Sequence, residues 1–353
     1  MLFTKDLIDK VGSLKQIAGI QQYQYADGPA RGVRVLDFST GTGFRFQVLV
    51  DRGFDVYNAS FAGLSLDWRS ATGVVSPAFF EPGEFGWLRG FFGGLVATCG
   101  LTQAGAPNVD QNERLGLHGR VGNTPASLVE VREELKDGGL CLKAEGEVRE
   151  TSVFGHQLSM RRIIRARAGE SRFFLEDRFL NTGSRPSPFM ILYHINLGYP
   201  VVDDGSRLLS SESSIAPRDA AAEKGAGKEK IFIAPECGFN EEVFFYDMKT
   251  DAEGSVCAAV VNEARELLGL QGLGLYVKYP KAELPRFSEW KMMGCGEYVV
   301  GVEPGNCHPW GRKTVREKGE LEYLQPGESR AVHLEIGVLA GRDEIEAFER
   351  RLP

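Results

Sequence analysis

Three short segments of the sequence contain residues that could move protons. The first holds His118, the second His194 and the third Glu303. Imidazole titrates near neutral pH and an ionised carboxylate accepts protons, so a histidine and a glutamate together can act as general acid and general base. This is the minimum equipment for proton transfer on a sugar hemiacetal.

His118 lies in a segment with glycine on both sides, Gly116 to Arg120. Glycine lets a ligand approach the backbone, and Arg120 offers a planar guanidinium to hydroxyl or carboxylate oxygens. The segment therefore predicts a substrate-binding histidine and arginine. A surface-loop histidine beside a solvated arginine is the alternative.

His194 follows the apolar residues 189–192, which predicts a buried or rim-facing strand. Burial lowers the pKa of a histidine that has no partner, so His194 could exchange a proton. Asn196 lies two residues further on, would share a strand face with it and could bind a sugar hydroxyl. The alternative is a structural histidine bonded to a neighbouring carbonyl.

Glu303 ends the apolar run 298–302 and precedes Pro304. Charged groups are rarely buried without a task or a partner, so this carboxylate is a candidate general base. The alternative is an ion pair with Arg312 or Lys291. The predictions for His118, His194 and Glu303 support one another because each residue lies near Gly, Asn or Pro. His194 and Glu303 also follow apolar runs.

Further residues could bind a substrate. Trp290 offers an indole face for sugar C–H groups, although buried packing is the commoner fate of tryptophan. Asp247 could hold a hydroxyl or merely begin a turn, and Arg52 could reach the pocket or pair with a nearby aspartate. His308 lies close to Glu303, but the spacing matches no established metal site, and we predict no metal and no organic cofactor.

The composition narrows the class of protein. The chain has 353 residues, of which 42% are hydrophobic and 25% charged, with a formal charge of -7. An acidic chain argues against nucleic acid as the main partner, because phosphate binding needs a basic face. The sequence has no membrane-length apolar segment and no secretion-signal pattern at its start, which predicts a cytoplasmic location. The six scattered cysteines are then expected to be reduced thiols.

The elements that would position these residues are mostly strands. Glycine-rich turns separate short apolar runs at residues 33–38, 44–50, 139–145, 159–166, 171–179, 189–194, 256–261, 273–279, 298–302 and 331–336. We predict one all-β domain over residues 1–353. Residues 1–30 form a helical or loop extension, 203–232 a polar loop excursion, and 341–351 a terminal helix.

Several motifs resemble the aldose 1-epimerase (galactose mutarotase-like) superfamily, and specifically its DUF4432 branch. They lie within residues 35–337: Asp51-Arg52-Gly53, Gly86-Trp87, Phe92-Gly93-Gly94-Leu95, Thr98-Cys99-Gly100-Leu101, Leu117-His118-Gly119-Arg120, Pro125-Ala126, Leu192-Tyr193-His194-Ile195-Asn196-Leu197-Gly198-Tyr199-Pro200 and Tyr298-Val299-Val300-Gly301-Val302-Glu303-Pro304.

The resemblance implies a β-supersandwich of two large antiparallel sheets with a few short helices and a sugar cleft. By motif, His194 would be the acid, Glu303 the base, and His118 a substrate-binding partner near the ring oxygen. Arg120, Asn196 and Asp247 carry over as substrate-binding residues. The implied function is anomer interconversion on a small carbohydrate by a protein that could form a homodimer.

Two other functions remain open from the sequence. One is a metal-assisted lyase or isomerase for a keto- or acidic sugar, with the metal held by His118, His194 and Glu303. The other is a carbohydrate-binding protein without catalysis, because a fold does not fix a function.

Overall fold

The computed structural model describes residues 5–136, 138–267 and 269–353. Its strands are β1 (Gly19–Gln24), β2 (Arg34–Ser39), β3 (Phe44–Leu49), β4 (Asp55–Phe61), β5 (Leu64–Ser65), β6 (Ala97–Leu101), β7 (Asn108–Asp110), β8 (Glu113–Leu115), β9 (Ser127–Lys136), β10 (Gly139–Thr151), β11 (Gln157–Arg167), β12 (Arg172–Asn181), β13 (Ser187–Leu197), β14 (Arg207–Ser210), β15 (Glu212–Pro217), β16 (Glu242–Met248), β17 (Ser255–Leu267), β18 (Leu270–Pro280), β19 (Arg286–Gly294), β20 (Glu297–Gly305), β21 (Glu322–Leu324) and β22 (Ser329–Ala340).

The helices are short. They are α1 (Lys5–Ile8), α2 (Ala220–Gly225), α3 (Arg312–Glu317) and α4 (Arg342–Glu349), with 3-10 turns at Leu14–Gln16, Gly28–Ala30, Pro77–Phe79, Gly86–Gly90 and Val121–Asn123. The predicted terminal helix is confirmed by α4. No helix in the described ranges is long and apolar enough to cross a membrane. A cytoplasmic location and a homodimer stay predictions.

Two large antiparallel sheets dominate the molecule. One has eight strands in the order β14-β17-β18-β22-β12-β11-β10-β9, and the other has the order β15-β16-β19-β20-β13-β21, with β6 also paired to β13. The predicted all-β class with two large sheets is confirmed. Strands β1 to β5 form a third, five-stranded sheet that the sequence analysis does not separate from the others.

Strand β13 is buried along its whole length, because both faces of its sheet are covered. Ile191 and Ile195 point into the main core between the sheets, whereas Met190 and Leu192 join a second apolar cluster on the opposite face. A strand buried on both faces appears in the sequence as an unbroken apolar run. The second face is the one that carries His194.

A buried ionic network joins the two large sheets beneath this strand. The guanidinium of Arg162 donates to both oxygens of Asp177, to Asp55 Oδ1 at 2.7 Å and to Thr98 Oγ1 at 2.8 Å. The hydroxyl of Tyr193 donates to Asp177 Oδ2 at 2.7 Å. Thr98 and Tyr193 are direct neighbours across β6 and β13, so the network fixes both strands to the eight-stranded sheet.

Two predicted loop segments contain strands. The extension over 1–30 contains α1 and two 3-10 turns as predicted, but also β1, which pairs with β2, while residues 1–4 lie outside the described ranges. The polar excursion over 203–232 supplies β14 to one large sheet and β15 to the other, around α2. In both segments the strands escape prediction for the same reason. Strands at or near a sheet edge expose much of their surface and need few apolar residues.

The cysteine prediction is wrong for one pair. Cys237 and Cys295 form a disulfide, with Cα atoms 4.9 Å apart and a sequence separation of 58. The bond joins the segment before β16 to the turn between β19 and β20, and such a separation gives no local sequence signal. Cys99, Cys141, Cys257 and Cys307 are free thiols.

Candidate active site

His194 and Glu303 lie opposite each other on neighbouring strands. The register of β13 and β20 pairs Leu192 with Gly305 and Ile195 with Val302, which places His194 across from Glu303 on the same face. Nε2 of the histidine lies 3.1 Å from Oε1 of the glutamate. Strand pairing thus brings the predicted acid and base into contact.

Burial shifts the proton equilibria of this pair in opposite directions. The side chains are only 6% and 3% exposed. Loss of water disfavours both charged forms, so burial raises the pKa of Glu303 to about 8 and lowers the pKa of His194 to about 4. Nearby Glu241 also raises the pKa of Glu303. Between pH values of about 4 and about 8 the pair therefore holds one acidic proton, and the two groups titrate as a unit.

Asn196 holds His194 rather than a sugar hydroxyl. Its amide nitrogen donates to the carbonyl of His194 at 3.0 Å and to that of Gly94 at 3.1 Å, and the side chain is fully buried. Asn196 Oδ1 and His194 Nδ1 are two buried polar atoms without a hydrogen-bond partner in the described structure. These bonds give Asn196 a positioning role toward His194, and substrate binding by Asn196 stays a prediction.

His118 is brought beside His194. The two imidazole rings meet edge to face with centroids 5.6 Å apart. His118 Nδ1 accepts from the backbone N–H of Gly105 at 3.4 Å, so Nε2 carries the proton of the neutral ring. Burial and the adjacent His194 lower the pKa of His118 to about 3, which makes it a neutral donor.

The backbone of His118 is held in an uncommon conformation. Its φ angle is +55°, a left-handed conformation that costs a residue other than glycine free energy. Both main-chain groups are paired: its N–H donates to the carbonyl of Gly105 at 2.9 Å, and its carbonyl accepts from Gly100 at 3.1 Å. These bonds fix the direction in which the imidazole leaves the backbone.

Aromatic rings enclose the three side chains. Trp87 stacks on Phe91 at 4.3 Å between centroids and lies 4.7 Å from the His118 ring. Trp290 lies 5.2 Å from the His194 ring and 6.3 Å from Trp68. Three of the four tryptophans of the chain are therefore at the site. The prediction for Trp290 is supported by this placement, while Trp68 and Phe91 are not identified from sequence.

Gly301 keeps open the space next to the pair. A Cβ atom at this position would lie 3.0 Å from Glu303 Oε1 and 3.2 Å from His194 Cε1. Any larger residue would press on both reacting groups. Gly301 is not among the predicted site residues, although a glycine between Val300 and Val302 is a signal of close approach within a strand.

The contacts of Arg52 do not favour the predicted substrate-binding role. Its guanidinium donates to the backbone carbonyls of Gly122, Val75 and Gly90 at 2.6–3.0 Å and is 5.0 Å from the ring of Phe92. Burial lowers the pKa of Arg52 to about 10. The side chain ties loops together and has no free fork to present to a substrate.

Asp247 and Arg120 also lie apart from the pair. Asp247 is exposed, and its carboxylate accepts from Lys281 Nζ at 2.8 Å and from the hydroxyl of Ser213. The guanidinium of Arg120 is exposed and stands 5.7 Å from the ring of Phe80. Neither side chain contacts His194 or Glu303, so substrate contact by either stays a prediction.

The alternative partners considered for Glu303 are engaged elsewhere. Arg312 pairs with Asp110 at 2.8 Å, and Lys291 lies 3.6 Å from Glu242. His308 stacks on Phe245 at 4.1 Å between centroids. In the described part of the chain, no three or more His, Cys, Asp or Glu side chains are grouped so that they could hold a metal ion. The site is thus a carboxyl–imidazole pair, a second neutral imidazole and aromatic walls.

Comparisons with known proteins show the family and the fold of the chain. The family model described as "Domain of unknown function (DUF4432)" matches residues 30–338. A candidate aldose 1-epimerase from Klebsiella pneumoniae subsp. pneumoniae MGH 78578 superposes with a TM-score of 0.89 at 29% identity, covering 94% of this chain and 86% of that one. No curated protein matches the sequence.

More distant structures share the fold. A galactose mutarotase-like protein from Clostridium acetobutylicum has a TM-score of 0.64 at 12% identity, covering 92% of this chain and 99% of that one. Galactose 1-epimerase from Lactobacillus acidophilus NCFM has a TM-score of 0.59 at 14% identity, covering 92% and 100%. At these identities the likeness shows the galactose mutarotase-like fold alone.

Proposed function

The chain belongs to the DUF4432 family, and we propose that it interconverts the anomers of a monosaccharide or a monosaccharide derivative by acid–base ring opening. The observation that carries the proposal is the 3.1 Å contact between His194 Nε2 and Glu303 Oε1 inside an aromatic enclosure. The similarity to a candidate aldose 1-epimerase over 94% of the chain supports the substrate class.

One proton shared by His194 and Glu303 is sufficient for ring opening. Transfer of that proton from Glu303 to His194 gives a carboxylate and an imidazolium within the same contact. The carboxylate then takes the proton of the anomeric hydroxyl, while the imidazolium gives its proton to the ring oxygen. The C1–O5 bond breaks, C1 becomes a carbonyl, and rotation about C1–C2 followed by the reverse steps gives the other anomer.

His118 has a separate part in the proposal. Its neutral Nε2–H can donate to an oxygen that gains negative charge as the ring opens, without itself losing a proton. The low pKa of about 3 keeps this imidazole uncharged at neutral pH, so it does not repel a protonated His194. The aromatic walls exclude water, which strengthens each of these interactions.

Polarimetry tests the proposal. Freshly dissolved α-anomers of glucose, galactose, mannose and xylose are followed to equilibrium with the wild type, His194→Ala and Glu303→Ala. We expect acceleration by the wild type on at least one sugar and its loss in both variants. Near-wild-type rates in either variant would remove that residue from the mechanism. Tight sugar binding without acceleration would replace catalysis by carbohydrate binding.

Metal content separates the second enzyme class. A metal-assisted lyase or isomerase acting on a keto- or acidic sugar would need an ion at the pair and His118, which are residue types that bind metals but are not grouped as a metal site in the described structure. Elemental analysis of the purified protein, together with polarimetry after chelation, distinguishes the two. A stoichiometric ion and a rate abolished by chelation would contradict the proposed acid–base ring opening.

A further inference from the structure

A second cavity adjoins the aromatic wall of the site. It has a volume of about 360 Å³ and is lined by Ser65, Asp67, Trp68, Arg69, Tyr199 and Tyr298, among others. We refer to it as the Tyr199 groove. None of the candidate catalytic residues lines the groove, so the proposed ring opening does not explain what the groove binds.

Trp68 is the wall that the groove shares with the site. Its ring lies 5.8 Å from Phe91 and 6.3 Å from Trp290, both of which contact the His194 ring. The backbone N–H of Trp68 donates at 3.1 Å to the carbonyl of Asn196, the residue whose side-chain amide holds His194. A ligand that contacts His194 and Glu303 and extends along the Trp68 ring would therefore reach the groove.

Two glycines make this position of Trp68 possible. A Cβ at Gly93 would lie 2.5 Å from the carbonyl oxygen of Trp68, and a Cβ at Gly198 would lie 2.9 Å from its Cα. The backbone of Trp68 thus fits between two positions where no side chain can stand. This close fit fixes the position of Trp68 in the aromatic wall.

The distance along the chain from the acid–base pair to the groove corresponds to one additional sugar ring. Gly198 lines the groove and lies four residues beyond His194, which is roughly 13 Å along an extended strand. Two linked pyranose rings cover such a span, whereas a single ring at His194 and Glu303 does not reach it.

The lining has the chemistry of sugar recognition. Tyr199 is 58% exposed, and in the described structure its hydroxyl has no hydrogen-bond partner. Aromatic faces pack on sugar C–H groups, and a phenol bonds a sugar hydroxyl at its edge. Arg69 is exposed but lies 3.8 Å from buried Asp67 and donates to Ser65 Oγ at 3.2 Å. Because the carboxylate offsets the guanidinium, the groove favours a neutral ring over a phosphate or a carboxylate.

We propose that the Tyr199 groove binds the second ring of a reducing, 4-linked disaccharide whose first ring occupies the site between His194 and Glu303. The inference rests on the proposed function, because it places the reducing ring at the acid–base pair. A 4-linkage is chosen because C4 lies across the pyranose ring from the reacting C1. The substrate class is then a reducing oligosaccharide rather than a free monosaccharide.

Equilibrium binding, followed by tryptophan fluorescence, tests the inference on four matched pairs. They are glucose and cellobiose, galactose and 1,4-galactobiose, mannose and 1,4-mannobiose, and xylose and xylobiose. In the pair that binds best, we expect the disaccharide to bind at least about tenfold more tightly, the size of a good aromatic contact. Tyr199→Ala should remove this advantage and leave monosaccharide affinity unchanged, and Tyr199→Phe should remove only part of it.

A matched control is Phe174→Ala, which removes an exposed aromatic side chain on the eight-stranded sheet, where it does not line the groove. It should bind both members of each pair as the wild type does. Equal or tighter binding of the monosaccharide in all four pairs, or no binding of any of the eight sugars, would overturn the inference. So would an equal loss for both members in Tyr199→Ala.

The same samples in the polarimeter separate the two proposals. Ring opening without a disaccharide preference overturns the groove inference and leaves the proposed function standing. A disaccharide preference that Tyr199→Ala removes, in a protein that opens no ring, supports the groove and contradicts the proposed function.

Discussion

Two histidine–glutamate contacts occur in the described chain, and they differ in how much water reaches them. His194 and Glu303 are 3.1 Å apart and 6% and 3% exposed. His333 and Glu283 are 2.9 Å apart and 52% and 25% exposed. The distances are nearly equal, so contact alone does not distinguish the pairs.

Their surroundings separate them. The exposed pair lies on the outside of the eight-stranded sheet, and Glu283 also accepts from the backbone N–H of His333 at 2.8 Å. Water screens such a pair and stabilises its charged forms. The buried pair has lost that water. Glu303 therefore holds its proton to a higher pH than an ordinary glutamate, and His194 loses its proton at a lower pH than an ordinary histidine. Enclosure, rather than proximity, turns two ordinary side chains into a proton-sharing unit.

Removing a carboxylate from each pair should produce the largest difference in activity. Glu303→Ala should lower kcat/KM for ring opening by roughly 10²–10⁴-fold, the usual contribution of a positioned acid or base. Glu283→Ala should change it less than about twofold, because an exposed pair far from the site contributes nothing to the reaction. The measurement is polarimetry on the best sugar. Equal losses in the two variants would break the comparison.

The contrast between buried and exposed charge should also appear in stability. Arg162→Met leaves Asp55 and Asp177 buried without their cation and should lower the free energy of unfolding by about 3–5 kcal/mol. Arg165→Met removes an exposed pair with Glu176 and should cost less than about 1 kcal/mol. Urea unfolding measures both. A loss below about 1 kcal/mol for Arg162→Met would contradict the structural role of the network.

Neutralising Glu303 should reveal the cost of its burial. The folded-state pKa of about 8 lies above the ordinary 4.5, so this carboxyl favours folding most below pH 4.5 and loses that contribution as pH rises through about 8. Glu303→Gln has no such dependence. Its stability relative to the wild type should therefore rise by roughly 1–3 kcal/mol between pH 5 and pH 8. A constant difference in thermal unfolding over that range would show that Glu303 is not buried as described.

Filling the space at Gly301 tests the enclosure from the other direction. The added Cβ of Gly301→Ala would press on Glu303 Oε1 and His194 Cε1 and should reduce kcat/KM roughly 10–10²-fold with a small effect on stability. Gly12→Ala is the control, because a Cβ there meets nothing within 4 Å. Wild-type kinetics in Gly301→Ala would mean that the substrate does not use this space.

Local apolar pattern predicts much of the fold. Strands β13 and β20 follow from unbroken apolar runs, and β2 and β3 from the apolar runs over 33–38 and 44–50 with a glycine-rich turn between them. Strand β19 is not predicted, because it buries polar side chains such as Ser288 and Glu289 that interrupt the apolar pattern. Burial of such groups depends on partners that are distant in the sequence.

The site is predictable to the same degree. His118, His194 and Glu303 are found from the sequence because apolar runs and small or turn-forming neighbours mark them, whereas Trp290 is found only from the chemistry of its indole. Arg52 is misassigned because its carbonyl partners come from three separate loops. Trp68 and Phe91 carry no local signal that distinguishes an active-site wall from ordinary core packing.

The pH dependence of kcat/KM tests the shared proton most directly. After subtraction of the uncatalysed rate, a pair holding one proton predicts a plateau that falls below pH of about 4, where His194 also protonates, and above about 8, where Glu303 loses its proton. The wild type should show both limbs. A rate that instead changes with a single step near 6.5, the ordinary pKa of histidine, would contradict the account.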